Sequence, residues 1–136
     1  MPNSPKKPVY KLTAIRNCVP SELSAIHAAC FDRGWPESDF TSMLGNACYD
    51  GYGVFSQSKL VGFIFFQFVA SEAEIITYGV LPGYREKGYG TALLDNTVEY
   101  LRGHDIERIT LEVYAHNRKA KRIYDQFGFY KISSRK

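Results

Sequence analysis

The sequence predicts one α/β domain of mixed α+β type. Its central mixed sheet of about six strands is flanked by helices, in the chain order β-α-α-β-β-β-α-β-α-β. Three observations predict it. Apolar runs joined by a short polar turn open the sheet as an antiparallel hairpin. Two strand–helix units follow, and strands joined through a helix crossover are expected to lie parallel. A chain of 136 residues, 45% hydrophobic and 15% aromatic, has the size of one domain and can bury a core.

Residues 1–8, Met1-Pro2-Asn3-Ser4-Pro5-Lys6-Lys7-Pro8, read as a frayed tail, and the domain as 9–136. Val9 to Arg16 reads as the first strand. Pro20 and Ser21 start a helix, with Ser21 as a capping residue and Leu23, Ile26, Ala29 and Cys30 at helical spacing. Asp32-Arg33-Gly34-Trp35-Pro36 breaks it. A second helix runs from Glu37 to Ala47 with Phe40, Met43 and Leu44 inward. Trp35 between the helices reads either as a core plug or as part of a ligand cleft. Tyr52–Gln57 and Lys59–Ala70 form a hairpin around Ser56-Gln57-Ser58, and Glu72–Leu81 is the next strand. Gly88–His104 is helical, with Leu94, Val98 and Leu101 on one face and Gly103 as its stop. Ile106–Tyr114 is a strand with Ile109, Leu111 and Val113 on one side. Asn117–Phe127 is a helix with Ala120, Ile123, Tyr124 and Phe127 in register. Phe129–Ser133 closes the series.

The stretch that organises the chain is Tyr78-Gly79-Val80-Leu81-Pro82-Gly83-Tyr84-Arg85-Glu86-Lys87-Gly88-Tyr89-Gly90-Thr91. It is a strand end, a Pro-Gly turn, a basic glycine loop and a helix start. Gly88 and Gly90 let the backbone turn and lie close to a ligand. A loop opening into a helix presents unpaired N–H groups and the positive end of the helix dipole, both suited to phosphate. Arg85 and Lys87 add positive charge. The spacing is neither that of a Walker A loop nor the dinucleotide G-x-G-x-x-G, because Leu93 stands at the third glycine position. Taken alone, the loop also fits a glycine turn that only starts a helix.

Net charge is +3, too small for a molecule-wide nucleic-acid surface. The basic run Arg118, Lys119, Lys121 and Arg122 fits a solvated helix face or a phosphate partner. Cys18, Cys30 and Cys48 are odd in number and lack C-x-x-C spacing, which argues against a disulfide framework and a zinc site. His27, His104 and His116 lack ligand spacing and read as structural or surface residues, so no metal is expected. The opening residues have no apolar core of a signal peptide, and Leu60–Ala70 is too short to cross a bilayer. A cytoplasmic protein with no membrane partner is expected.

The run Arg85-x-x-Gly88-x-Gly90 after Val80-Leu81-Pro82 resembles the acetyl-CoA motif of the GNAT superfamily of N-acetyltransferases. Leu111-Glu112-Val113, Asn117, Ile123-Tyr124 and Phe127-Gly128-Phe129 resemble its second half, and Trp35-Pro36 and the Glu72–Leu81 strand also match. The chain is most similar to the branch of ribosomal-protein-alanine N-acetyltransferases (RimI-type). The resemblance implies acetyl-CoA as cofactor. The main chain of Tyr78, Gly79 and Val80 would pair with the pantetheine arm. The N–H groups of Glu86, Lys87, Gly88, Tyr89, Gly90 and Thr91 would hold the pyrophosphate. Asn117 would bond the cofactor arm besides capping its helix, and Arg118, Lys119 or Arg122 would lie near the remaining phosphate. Relatives continue past this point with an aromatic segment and a final strand beside the acceptor site. This chain stops at Lys136: either the protein is unusually short or the sequence is cut there, and a second subunit in a homodimer can supply such an edge.

Glu112 lies on an interior strand, where a carboxylate is costly unless paired or used. It fits a salt bridge, and the resemblance makes it the general base. Tyr124 fits a core aromatic, and the resemblance makes it the general acid toward the departing thiolate. At reference values an α-amine near 7.8 costs about 1 kcal/mol to deprotonate at pH 7, and a lysine about 4.6 kcal/mol. A single carboxylate base therefore suits a protein N-terminus better than a lysine. The competing readings are a small-amine or polyamine acetyltransferase and a non-catalytic acyl-CoA-binding domain.

Overall fold

The structure is a computed structural model, and it describes residues 10–111. The elements are β1 (Tyr10–Ala14), α1 (Pro20–Cys30), α2 (Glu37–Leu44), β2 (Tyr49–Ser56), β3 (Lys59–Val69), β4 (Glu72–Val80), α3 (Tyr89–Arg102) and β5 (Arg108–Leu111). Short 3-10 turns occupy Ile15–Asn17 and Pro82–Tyr84. The sheet order is β1-β2-β3-β4-β5. The first four strands are antiparallel neighbours and β5 joins β4 in parallel, as the crossover through α3 predicts. The helix expected over Asn117–Phe127 and the strand over Phe129–Ser133 lie outside the described residues.

Several boundaries differ from expectation for local reasons. The first strand ends at Ala14, where the chain turns into the 3-10 segment. Ser21 does not cap α1. The N-cap is Val19, and Pro20 opens the helix, where its fixed φ is an asset and its missing N–H costs nothing. The inward face of α1 is Leu23, Ile26 and His27, whereas Ala29 is exposed. Helix α2 stops at Leu44, three residues early. Gly103 caps α3 in a right-handed conformation. The left-handed residue is Asp105 at φ 59°. Around it Ile106 N–H donates to the Leu101 carbonyl at 3.1 Å and Asp105 N–H to the Arg102 carbonyl at 3.3 Å, a Schellman closure two residues later than expected.

The sheet has a helix layer on each side. Under α3, Val54, Ile64, Phe66, Ile75, Val80, Leu93, Leu94 and Leu101 pack into one cluster. Under α1 and α2, Ile15, Leu23, Ile26, Phe40, Leu60, Phe63 and Phe65 form the other. Strict alternation would keep each strand's faces constant, but β4 breaks it once. Phe66 pairs with Ile75 and Phe65 with Thr77, so Ile76 is an extra residue, a β-bulge. Beyond it, Thr77 and Gly79 share the α1/α2 face with their partners Phe65 and Phe63, and Tyr78 and Val80 face α3.

Candidate active site

The organising stretch folds into the carboxyl end of β4, a 3-10 turn, a loop and the first turn of α3. Among the described residues, β5 covers β4 only from Glu72 to Ile75. The bulge at Ile76 follows at once, and Leu111, the partner of Ile75, is the last described residue. At the strand's end Leu81 N–H donates to the Val61 carbonyl at 2.8 Å, on the β3 side. Backbone groups alternate sides along a strand. Gly79 therefore turns its N–H and C=O toward β3, and Tyr78 and Val80 turn theirs toward the outer edge. The Val80 carbonyl is already engaged: Arg85 Nε donates to it at 2.8 Å and the Cys30 thiol at 3.4 Å. Arg85 thus ties the loop back onto the strand as well as adding charge.

The loop turns by two left-handed residues, Glu86 at φ 62° and Gly88 at φ 96°. A non-glycine residue there is uncommon and marks a conformation that the surroundings hold in place. Gly88 is the N-cap of α3, and the first intrahelical bond runs from Ala92 N–H to the Gly88 carbonyl at 3.0 Å. The amides of the first turn, at Tyr89, Gly90 and Thr91, have no acceptor within the helix, which is the donor array a phosphate needs. Gly90 sits at a close approach, where a Cβ would meet the Tyr78 hydroxyl and displace that ring or the helix start. Tyr89 is buried and its hydroxyl bonds with Ser56 Oγ at 3.0 Å, pinning the helix start to the β2–β3 turn. From that turn comes Lys59, whose Nζ lies 5.5 Å from the centre of the Tyr84 ring; Lys87 Nζ lies 6.0 Å from it. Lys59 joins the basic loop from a distant strand and carries no local motif, so sequence reading missed it.

On the other face, Trp35 stacks on His27 with centroids 4.5 Å apart, and Phe40 and Phe63 close around the same imidazole. Trp35 N–H donates to His27 Nδ1 at 3.2 Å. Burial lowers the His27 pKa below its usual 6.5, so the ring stays neutral and accepting. Trp35 is half-buried against this cluster, a core contact with one side left outward. No group of three or more potential metal ligands occurs among the described residues. Glu112, Asn117 and Tyr124 lie outside the described residues.

Fold and loop define an α/β domain with an anion-suited helix start beside the end of a strand. Residues 21–129 match the acetyltransferase (GNAT) family, and the chain belongs to that family: it is an acetyl-CoA-dependent N-acetyltransferase. The [ribosomal protein bS18]-alanine N-acetyltransferase of Escherichia coli K12 is 30% identical over 102 residues, 75% of this chain and 68% of the relative. The crystal structure of the ribosomal-protein-S18-alanine N-acetyltransferase from Escherichia coli superposes with a TM-score of 0.85 at 24% identity, over 92% of this chain and 80% of that one. Arabidopsis thaliana NAA60 in complex with acetyl-CoA superposes with a TM-score of 0.78 at 21% identity, covering 92% and 86%.

Proposed function

We propose that this enzyme moves the acetyl group of acetyl-CoA to the N-terminal α-amine of a protein, with a ribosomal protein as the acceptor class. The observation that carries the donor half is the carboxyl end of β4 running directly into the left-handed loop and the first turn of α3. The backbone groups of Tyr78 and the Val80 N–H would take the pantetheine arm. The amides from Glu86 to Thr91 would take the pyrophosphate, with Arg85, Lys87 and Lys59 supplying charge. Gly90 leaves the space a close backbone approach needs. The acceptor half rests on the 30% identity with the bS18-alanine enzyme across three quarters of the chain.

Acetyl-CoA supplies an activated thioester; the amine nitrogen forms the new amide bond as the C–S bond breaks. The amine must lose a proton, and Glu112 is the proposed base. The thiolate must be stabilised, and Tyr124 is the proposed donor. Because a thiol near 8.5 is more acidic than a tyrosine near 10, full transfer is uphill by about 2 kcal/mol at reference values, and a hydrogen bond comes first. Asn117 is proposed to hold the cofactor arm. No helix among the described residues is long and apolar enough to cross a membrane, and action on a ribosomal protein would place the enzyme in the cytoplasm.

The test is CoA release with acetyl-CoA and a panel of peptides and small amines. Peptides with a free N-terminal alanine are expected to give the highest kcat/KM, and the same peptides blocked at the N-terminus none. Turnover confined to polyamines would overturn the acceptor assignment. No turnover with any amine would leave a binding domain.

A further inference from the structure

Thr77 Oγ1 is the buried side-chain polar atom that lacks a hydrogen-bond partner among the described residues. The residue is 7% exposed. A buried hydroxyl normally finds a partner, because leaving one unmade is costly. The other buried threonine behaves that way: Thr97 Oγ1 donates to the Leu93 carbonyl at 2.8 Å, one turn back in α3. Valine has nearly the same shape as threonine and no hydroxyl to strand, so strand packing alone gives no reason for the oxygen at position 77.

Its place in the sheet gives one. Thr77 directly follows the bulged Ile76. The side chain lies on the α1/α2 face with Phe65 opposite it. The loop and the first turn of α3 lie across the sheet, on the α3 side. On the donor placement proposed above, acetyl-CoA reaches the bulge from the α3 side. The other approach to the bulge is the α1/α2 face, on which Thr77 lies. A hydroxyl oxygen has two lone pairs and accepts from N–H.

We propose that the Thr77 hydroxyl is a positioning residue for the acceptor, taking a hydrogen bond from the amine and so orienting the nitrogen that attacks the thioester. This rests on the amine-acetylating function proposed above. It assigns Thr77 to the acceptor and not to the cofactor.

The experiment compares wild type, Thr77→Val and Thr77→Ser. It uses a peptide with a free N-terminal alanine, acetyl-CoA binding by calorimetry and thermal unfolding. Thr77→Val is expected to unfold at the wild-type temperature or above it, to bind acetyl-CoA as wild type does, and to raise KM for the peptide about tenfold, the effect of one lost hydrogen bond. Thr77→Ser restores KM to within about threefold. An unchanged peptide KM in Thr77→Val overturns the assignment, and so does a loss confined to acetyl-CoA affinity. Should the valine variant fold poorly, Thr77→Ser carries the test against Thr77→Ala: hydroxyl present and KM retained, hydroxyl absent and KM raised. Wild-type enzyme with no turnover on any N-terminal peptide would overturn the functional reading itself, whereas wild-type turnover with an unaltered valine variant overturns only the role of Thr77.

Discussion

The two faces of the sheet are built from different materials. The buried core of the α3 face is mainly aliphatic, with Val54, Val61, Ile64, Ile75, Val80, Leu93, Leu94 and Leu101 beside Phe66 and Tyr89, and it leads into the loop whose backbone amides are the proposed cofactor contacts. The α1/α2 face carries an interlocked aromatic group among its aliphatics: Phe40, Phe63 and Phe65 are fully buried, and Phe40 and Phe63 close around a neutral histidine stacked on a half-buried tryptophan. Two glycines mark the contrast at the end of β4. A side chain at Gly90 would strike the Tyr78 hydroxyl on the α3 side, and one at Gly79 would press on Cys30 of α1 at 3.0 Å. Backbone recognition serves a ligand common to a whole family. Side-chain surfaces serve what differs between its members, and here they line the face that holds Thr77.

If the aromatic face is one interlocked unit, its centre is Phe40, fully buried with ring contacts to His27, Trp35, Phe63 and Phe65 at 5.7–5.9 Å. Phe40→Ala is expected to cost about 3–5 kcal/mol in urea unfolding. It should also release Trp35, seen as a red-shifted, quencher-accessible tryptophan fluorescence; as the sole tryptophan it reports unambiguously. A cost under about 1 kcal/mol would show that α2 only leans on the sheet.

On the other face the larger effect is on binding. Gly90→Ala should weaken acetyl-CoA at least about tenfold, since the new methyl displaces either Tyr78 or the first turn of α3. Placing it in a Tyr78→Phe background, which removes the atom the methyl meets, should recover part of that loss. Non-additivity of the two changes is the diagnostic, because residues in contact couple. Strict additivity would separate Tyr78 from the loop.

The same contrast explains what the sequence made legible. Strands β2, β3 and β4, helix α3 and the loop announce themselves by period and by glycine spacing, and they fold within a few residues of expectation. The bulge at Ile76 leaves no mark in Glu-Ala-Glu-Ile-Ile-Thr-Tyr-Gly-Val, because an extra residue in an apolar strand changes neither composition nor length noticeably. It decides which way Thr77 points, so that role was invisible until the β3–β4 register was known. The sequence leaves His27 as structural or surface and does not place it in the inward stripe of α1, because an imidazole counts as polar until a backbone N–H is found to satisfy it. Lys59 and the Arg85–Val80 bond depend on tertiary contacts between segments that no local pattern links. The proposed chemistry at Glu112 and Tyr124 rests on motif resemblance and awaits the acceptor assay.

His27 gives the smallest and most specific effect. It is 3% exposed, and the rings packed on it are Phe31, Trp35, Phe40 and Phe63, with no charged side chain among them. Burial holds its folded pKa below 6.5, so as pH falls the unfolded chain takes up the proton first. The stability this neutral ring contributes is complete above about pH 6.5 and is lost as pH falls through the folded pKa, at about 1.36 kcal/mol for each unit of separation. Protonation also fills Nδ1, the acceptor for Trp35 N–H. Urea unfolding between pH 7.5 and 5 should therefore show a steeper acid loss in wild type than in His27→Phe. The phenylalanine variant starts lower at neutral pH, having left the Trp35 N–H without its acceptor, and the two curves converge as pH falls. Parallel curves would mean that the imidazole does not change protonation across this range.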